Sequence, residues 1–258
     1  MATRVDQTAT RTAASRSARA LRARLPPRAW LRLAAGFAVV AACGAAFAGI
    51  LDAVIEGDDI SRFDQPLTAY LAAHRTGGLT TLFRTLTAIG GAAVLTPLAA
   101  LAAALLAWYG RTWRPLWIAA LTLAGSQLLV ATIKLLVARP RPGAIFAVLT
   151  AHGYSFPSGH ATSSLAAFGI LAWLTAAVVS RRPVQVTVWT IAILLALGVG
   201  LSRIYLGVHY LSDVLAAWAL GAGWLAAVIA ALTTASGLRN RPEAESPNPG
   251  IAEGSTNR

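Results

Sequence analysis

Three short stretches of the sequence hold the residue types that handle a phosphate group. The first, "KLLVARPRP", contains Lys134, Arg139 and Arg141, with each arginine followed by a proline. The second is "PSGH", Pro157 to His160. The third, "SRIYLGVHYLSD", runs from Ser202 to Asp213 and contains Arg203 and His209. Arginine forks match phosphate geometry, and a lysine adds a point charge. Gly159 lets the backbone approach closely, Ser158 offers a hydroxyl, and the amides of a helix opening at Ala161 would face an anion. His209 and Asp213 are four residues apart, so at the start of a helix they share a face. A carboxylate there can hold one imidazole nitrogen as N–H and leave the other as a nucleophile. With two histidines present, one can attack phosphorus while the other protonates the leaving oxygen.

These stretches lie beside long apolar segments. Uncharged runs cover Leu33–Leu51, Thr85–Gly110, Pro115–Ile133, Ala161–Ser180, Pro183–Ser202 and Val214–Leu238. At ~1.5 Å rise per residue, each can cross a hydrocarbon core of about 30 Å. The chain has 258 residues, 56% of them hydrophobic and 12% charged. Soluble domains carry about 25% charged residues, and the mean hydropathy of +0.61 points the same way. The expected fold is all-α: a polytopic membrane protein with six transmembrane helices in a bundle. A soluble protein with six such buried helices is not a competitive reading.

Basic residues predict the orientation. Arg111 and Arg114 separate the second and third runs, Arg181 and Arg182 the fourth and fifth, and Arg239 and Arg241 follow the sixth. All fall on the side of the N-terminal segment, where residues 1–32 hold eight arginines against one acid, Asp6. The positive-inside rule makes that side, and both termini, cytoplasmic. Residues 1–29 read as a disordered basic tail, 30–238 as the six-span domain and 239–258 as a second disordered tail. The first tail also has the composition of a transit peptide or a long signal n-region. The net charge of +12 is concentrated in this tail, which suits anionic lipid and argues against a nucleic-acid partner. The phosphate-handling stretches fall on the opposite, extracytoplasmic side. In the first outer segment, Asp64, Gln65 and Pro66 can open a short interfacial helix with Leu67, Tyr70 and Leu71 on one face. The lone Cys43 excludes an intrachain disulfide.

The three motifs together resemble the type 2 phosphatidic acid phosphatase (PAP2) superfamily. Its first motif, Lys, six residues, Arg-Pro, is matched by Lys134, Arg141 and Pro142. Its second is Pro157–His160. Its third, Ser-Arg, five residues, His, three residues, Asp, is matched by Ser202, Arg203, His209 and Asp213. The resemblance implies that His209 is the nucleophile that forms a phosphohistidine, that Asp213 orients it, and that His160 is the general acid. It implies phosphoryl binding by Lys134, Arg141, Ser158, the Gly159 amide and Arg203, with no metal and no cofactor. The implied substrate is a lipid phosphate in the bilayer of the cell membrane: phosphatidate, phosphatidylglycerophosphate or a polyprenyl diphosphate. The other spans would admit its acyl or prenyl chain laterally.

Several readings stay open at this point. A lipid-linked phosphotransferase would use the same site, and soluble relatives bind vanadate there. A transporter of phosphorylated lipids would also place cations near the membrane, but would not need a nucleophile–carboxylate pair. His160, His209 and Asp213 could be read as metal ligands, although three nearby cations would repel a divalent ion. Arg139 is not a motif residue; one role open to it is contact with a second phosphate or headgroup. His152 reads as a loop residue and His74 as surface polar. The pattern does not specify an oligomeric state.

Overall fold

The computed structural model describes residues 27–239. The expected tails lie outside the described residues, except that 27–29 and 239 continue the first and last helices. Two compact units divide the chain. Of the described residues, 27–35 and 230–239 belong to one; the other, residues 36–229, contains the candidate site.

Among the described residues there are eight α-helices and no strand. They are α1 (Pro27–Glu56), α2 (Asp64–Ala73), α3 (Gly77–Gly90), α4 (Ala92–Tyr109), α5 (Arg114–Val137), α6 (Gly159–Val178), α7 (Arg182–Tyr205) and α8 (Leu211–Arg239). Six of these, α1 and α4 to α8, are long and apolar enough to span a membrane. Their outward side chains are apolar: Leu101, Leu121, Leu128, Leu135 and Leu194 are all exposed. An aqueous surface would leave these leucines in water, whereas a bilayer solvates them while each helix satisfies its own backbone.

The second apolar run is not one helix. Its first residues belong to α3, and the chain breaks at Gly91, whose backbone is extended at φ −73° and ψ 145°. Before this break α3 packs along the last turns of α7, where Gly90 meets Val199 and Leu86 meets Gly198, and it forms a wall of the site. The α5 helix continues past Ile133, through Lys134, to Val137. Ala138 then takes a left-handed φ of 49°, and its N–H caps the Lys134 carbonyl. Arg139 and Arg141 cannot extend the helix, because each precedes a proline.

The most enclosed helix is α6, with eleven of its twenty residues buried. It packs on α3, α4, α5 and α7. Small residues make this possible, including Ala161, Ala166, Ala167, Gly169 and Ala172. Close helix approach needs them where the hydrophobic effect cannot drive association. The same logic places α8: a Cβ at Gly125 of α5 would collide with the Trp224 indole, and one at Gly200 of α7 with Trp218. The Trp224 Nε1–H donates to the Thr122 carbonyl at 2.8 Å, tying α8 to α5.

Candidate active site

The chain reverses direction between successive long helices, so one end of the bundle collects the end of α5, the start of α6, the end of α7 and the start of α8. A cavity of about 810 Å³ opens there. Lys134, Arg141, Gly159, His160, Arg203 and His209 all line it. Ser158 and Asp213 stand behind this wall and are fully buried. The structure therefore brings together all eight residues singled out from the sequence.

His209 is not in the α8 helix. It lies in the turn between α7 and α8, and Asp213 lies in the first turn of α8. Their side chains still meet, with Nδ1 of His209 3.3 Å from Oδ2 of Asp213. On the other edge of the ring, Nη1 of Arg141 is 3.0 Å from Nε2. A guanidinium can only donate, so Nε2 accepts and the proton resides on Nδ1, facing the carboxylate. Burial, the largest influence, pushes the His209 imidazolium down to about 4, although Asp213 acts to raise it. The ring is thus a neutral base with its Nε2 lone pair aimed at a cation-lined cavity.

Asp213 is held on every side. Oδ1 accepts from Nη1 of Arg139 at 2.7 Å. Oδ2 accepts from the Tyr210 amide at 2.9 Å and from the Ser155 hydroxyl. Arg139 is therefore not facing a second phosphate. Its Nη2 donates to Oδ2 of Asp64 at 2.7 Å, and its guanidinium lies over the Tyr210 ring, 4.5 Å from the centroid. Burial would lower its pKa, but Asp213 and Asp64 outweigh that and raise it. Asp64 begins α2 as expected, but it is buried and accepts from both the amide and the hydroxyl of Ser212. Sequence reading missed Asp64 and Ser155. An acid opening a short helix looks like a cap, and a serine in a loop carries no signal.

The cations differ in what holds them. Arg203, buried at the end of α7, donates from Nη1 to the Thr87 hydroxyl at 2.5 Å. Lys134 reaches the carbonyls of Tyr154 and Ser155. Arg141 is anchored by the carbonyls of His152, Gly153 and Val208, and burial lowers its pKa. Two buried polar atoms have no partner: Oγ of Ser158 and Nε of Arg203. Buried donors are nearly always satisfied, and leaving one unpaired costs about 1–3 kcal/mol. Arg203 lines the cavity, so its unpaired donor is one that an anion there would complete.

His160 is in the first turn of α6, which begins at Gly159 rather than at Ala161. A Cβ added at Gly91 would lie 3.5 Å from its Nε2, an ordinary contact, so the ring lies against the break between α3 and α4. His160 and Gly159 also line a second cavity of about 490 Å³ inside the bundle, walled by Leu95, Ala120, Leu123 and Ala124. His152 lines the first cavity and gives Arg141 its carbonyl, while His74 is exposed and stacks on Tyr70. Among the described residues, no three His, Cys, Asp or Glu side chains are grouped to hold a metal, so His160, His209 and Asp213 do not form one.

Residues 115–236 match the model of the PAP2 superfamily. Phosphatidylglycerophosphatase B of Bacillus subtilis (strain 168) is 30% identical over 177 residues, which are 67% of this chain and 84% of that protein. The crystal structure of a transmembrane PAP2-type phosphatidylglycerolphosphate phosphatase from Bacillus subtilis superposes with a TM-score of 0.67 at 25% identity, covering 80% of this chain and 98% of that one. Aquifex aeolicus LpxE shares the fold, with a TM-score of 0.50 at 23% identity over 66% of this chain and 95% of that one. The chain, an all-helical multi-pass membrane protein, belongs to the PAP2 superfamily of phosphatases.

Proposed function

We propose that this enzyme removes a terminal phosphate from a lipid phosphomonoester or diphosphate, on the extracytoplasmic face, through a phosphohistidine at His209. The observation that carries this reading is the His209 ring. Its Nδ1 proton is held by Asp213 and its Nε2 faces a cavity lined by Lys134, Arg141 and Arg203.

In the first step the phosphate displaces Arg141 from Nε2, and that guanidinium moves its hydrogen bond to a phosphoryl oxygen. Arg203 Nε and Ser158 Oγ, both unpartnered, complete the binding with Lys134 and the Gly159 amide. Nε2 attacks phosphorus in line; the N–P bond forms as the P–O bond to the leaving group breaks. His160, protonated, gives its proton to that leaving oxygen. Asp213 stabilises the positive charge that develops on the His209 ring. In the second step water attacks phosphorus, His160 takes its proton, and the N–P bond breaks to release phosphate. The three cations supply the charge compensation that a metal gives other phosphatases.

Two further features support a lipid substrate at the outer surface. The apolar second cavity meets the site at His160, where the leaving oxygen would be, and can hold the first part of a chain. Arg111, Arg114, Arg181 and Arg182 lie at the other ends of the helices that present the site, consistent with a cytoplasmic side remote from it. The test is rapid quench of purified protein with a radiolabelled lipid phosphate. An acid-labile phosphoenzyme, absent in His209→Ala, is the expected result. Turnover without any phosphoenzyme would sink the covalent route.

A further inference from the structure

The second cavity, which meets the site at His160, is not wholly apolar. Three polar side chains besides His160 line it, each from a different helix: Thr96 of α4, Gln127 of α5 and Ser163 of α6. None of the three side chains has a hydrogen-bond partner among the described residues. Their polar neighbours in the same helices do. Thr162 donates to the Ser158 carbonyl at 3.0 Å and Ser164 to that of Ala161 at 3.2 Å. On α5, Thr122 and Ser126 turn back onto Ile118 and Leu123 at 2.7 and 2.8 Å. Ser163 is only 3% exposed, so water does not satisfy its hydroxyl. A bilayer core offers no water either, and a buried donor left unpaired there is costly. Polar side chains in spans normally bond across helices; these three surround a shared space instead.

Helix rise sets their depth. Ser163 is three residues past His160, on the same face of α6 and about 4.5 Å deeper. Thr96 is five residues past Gly91, which lies against His160, and so about 7.5 Å deeper. Gln127 precedes Lys134 by two turns on one face of α5, about 10.5 Å deeper. The three therefore stand one to two helical turns below the phosphate level, on the side of His160 where the leaving oxygen would be. Thr96 and Gln127 are exposed as well, so they lie at the open edge of the cavity, with Ser163 on its closed side. An acyl glycerol places its ester carbonyls at this depth, one glycerol below the phosphate. A carbonyl only accepts, and a hydroxyl or an amide NH2 can donate to it. An ether-linked or prenyl chain has no carbonyl there and would leave the donors unpaired.

We infer that Ser163, Gln127 and Thr96 form a hydrogen-bonding subsite inside the bundle, which takes an acyl ester carbonyl of the leaving group. This rests on the lipid hydrolase reading above and adds a second point of recognition below the phosphate. The three are positioning residues: they hold the leaving group against His160 and do not touch phosphorus.

The experiment measures phosphate release by purified full-length protein in mixed micelles, for wild type, Ser163→Ala and Gln127→Leu. The substrates are a diacyl phosphatidate, its dialkyl ether analogue with the same chains, and an activated aryl phosphate. Wild type should favour the ester over the ether by about 10-fold in kcat/KM, the worth of one or two neutral hydrogen bonds. The difference should lie mostly in KM, because the carbonyl is held before and during the reaction. Each variant should bring the two lipids within about threefold of each other, by losing rate on the ester alone. Aryl phosphate turnover, unchanged, reports that the variants fold, and two variants on different helices guard against the loss of either. Equal wild-type rates on ester and ether, or variants that slow both lipids alike, would overturn the subsite and leave the hydrolase reading intact. Wild type that cleaves the aryl phosphate but neither lipid would remove the lipid hydrolase reading and the subsite with it.

Discussion

Arg139 meets Asp213 side by side, Nη1 to Oδ1 at 2.7 Å, and the same guanidinium meets Asp64 through Nη2 at 2.7 Å. Both carboxylates are buried. One cation thus joins the carboxylate behind the nucleophile to an acid on α2. Two buried acids that share a single arginine would be strongly unfavourable without further donors. The Ser212 amide and hydroxyl on Asp64, with the Tyr210 amide and Ser155 hydroxyl on Asp213, supply them. The arrangement fixes Asp213 against rotation, so that Oδ2 stays on His209.

Asp64 should therefore act on the reaction without touching the substrate. Asp64→Asn keeps the shape and removes the charge, and is expected to lower kcat with little change in KM, because the phosphate contacts are intact. Breaking a buried pair also destabilises the fold, by about 3–5 kcal/mol. Arg139→Gln should be the more severe variant, since it leaves two buried acids. In a double-mutant cycle the two losses should be well short of additive, because both act through Asp213. Full additivity in kcat would show that Asp64 does not work through Arg139.

The pH behaviour of His209 follows from its burial. Its neutral form is the nucleophile, and its pKa is pushed down to about 4. On lowering the pH, protonation of this ring should therefore remove activity only near 4. Asp213 raises that value, through its hydrogen bond and its charge. Asp213→Asn should move the titration lower, and should reduce kcat on the order of 10⁴-fold because the wrong tautomer is favoured. Nitrogen-15 NMR of labelled histidine would follow the titration directly. A His209 titration that moved upward in Asp213→Asn would contradict the hydrogen-bonded pair.

Much of the fold was legible because hydropathy is a one-dimensional property. Uncharged runs longer than a bilayer is thick leave few arrangements open, and five of the six spans lie near their expected places. The second was misread because Gly90 and Gly91 are as apolar as their neighbours, and a backbone break between two helices leaves no trace in hydropathy. At the site, residues that meet phosphate are strongly typed, so Lys134, Arg141, Arg203 and His209 stood out. Their supports did not. Asp64 is 149 positions from Asp213, and nothing local in the chain says that an α2 acid and a loop arginine will share it. Contact with a second phosphate or headgroup was one role open to Arg139, and only the fold shows that it turns instead to Asp213 and Asp64.

The orientation in the membrane can be read chemically. Gly143 is exposed in the loop after α5, and a side chain there meets only ordinary contacts, 3.8 Å from Ile145. With Cys43 replaced, Gly143→Cys should react with a membrane-impermeant thiol reagent in intact cells. Arg181→Cys, at the other end of the bundle, should react only after lysis. Labelling of residue 181 alone in intact cells would reverse the proposed sidedness.

The two histidines should fail in different ways. His160 lies against Gly91 and at the junction of the two cavities, placed to protonate a leaving oxygen. General acid catalysis is worth roughly 10²–10⁴-fold, and less where the leaving group is already a stable anion. His160→Ala should therefore retain measurable cleavage of an activated aryl phosphate while losing most of its activity on a lipid alkyl phosphate. His209→Ala should lose both, since no N–P bond can form. For His160→Ala with the aryl substrate, the phosphoenzyme should accumulate, because water attack then lacks its base and becomes the slower step. Rates for both substrates in both variants, with phosphoenzyme quantified alongside, separate the roles. If His209→Ala kept the aryl activity and His160→Ala did not, the nucleophile and the acid would have to be exchanged.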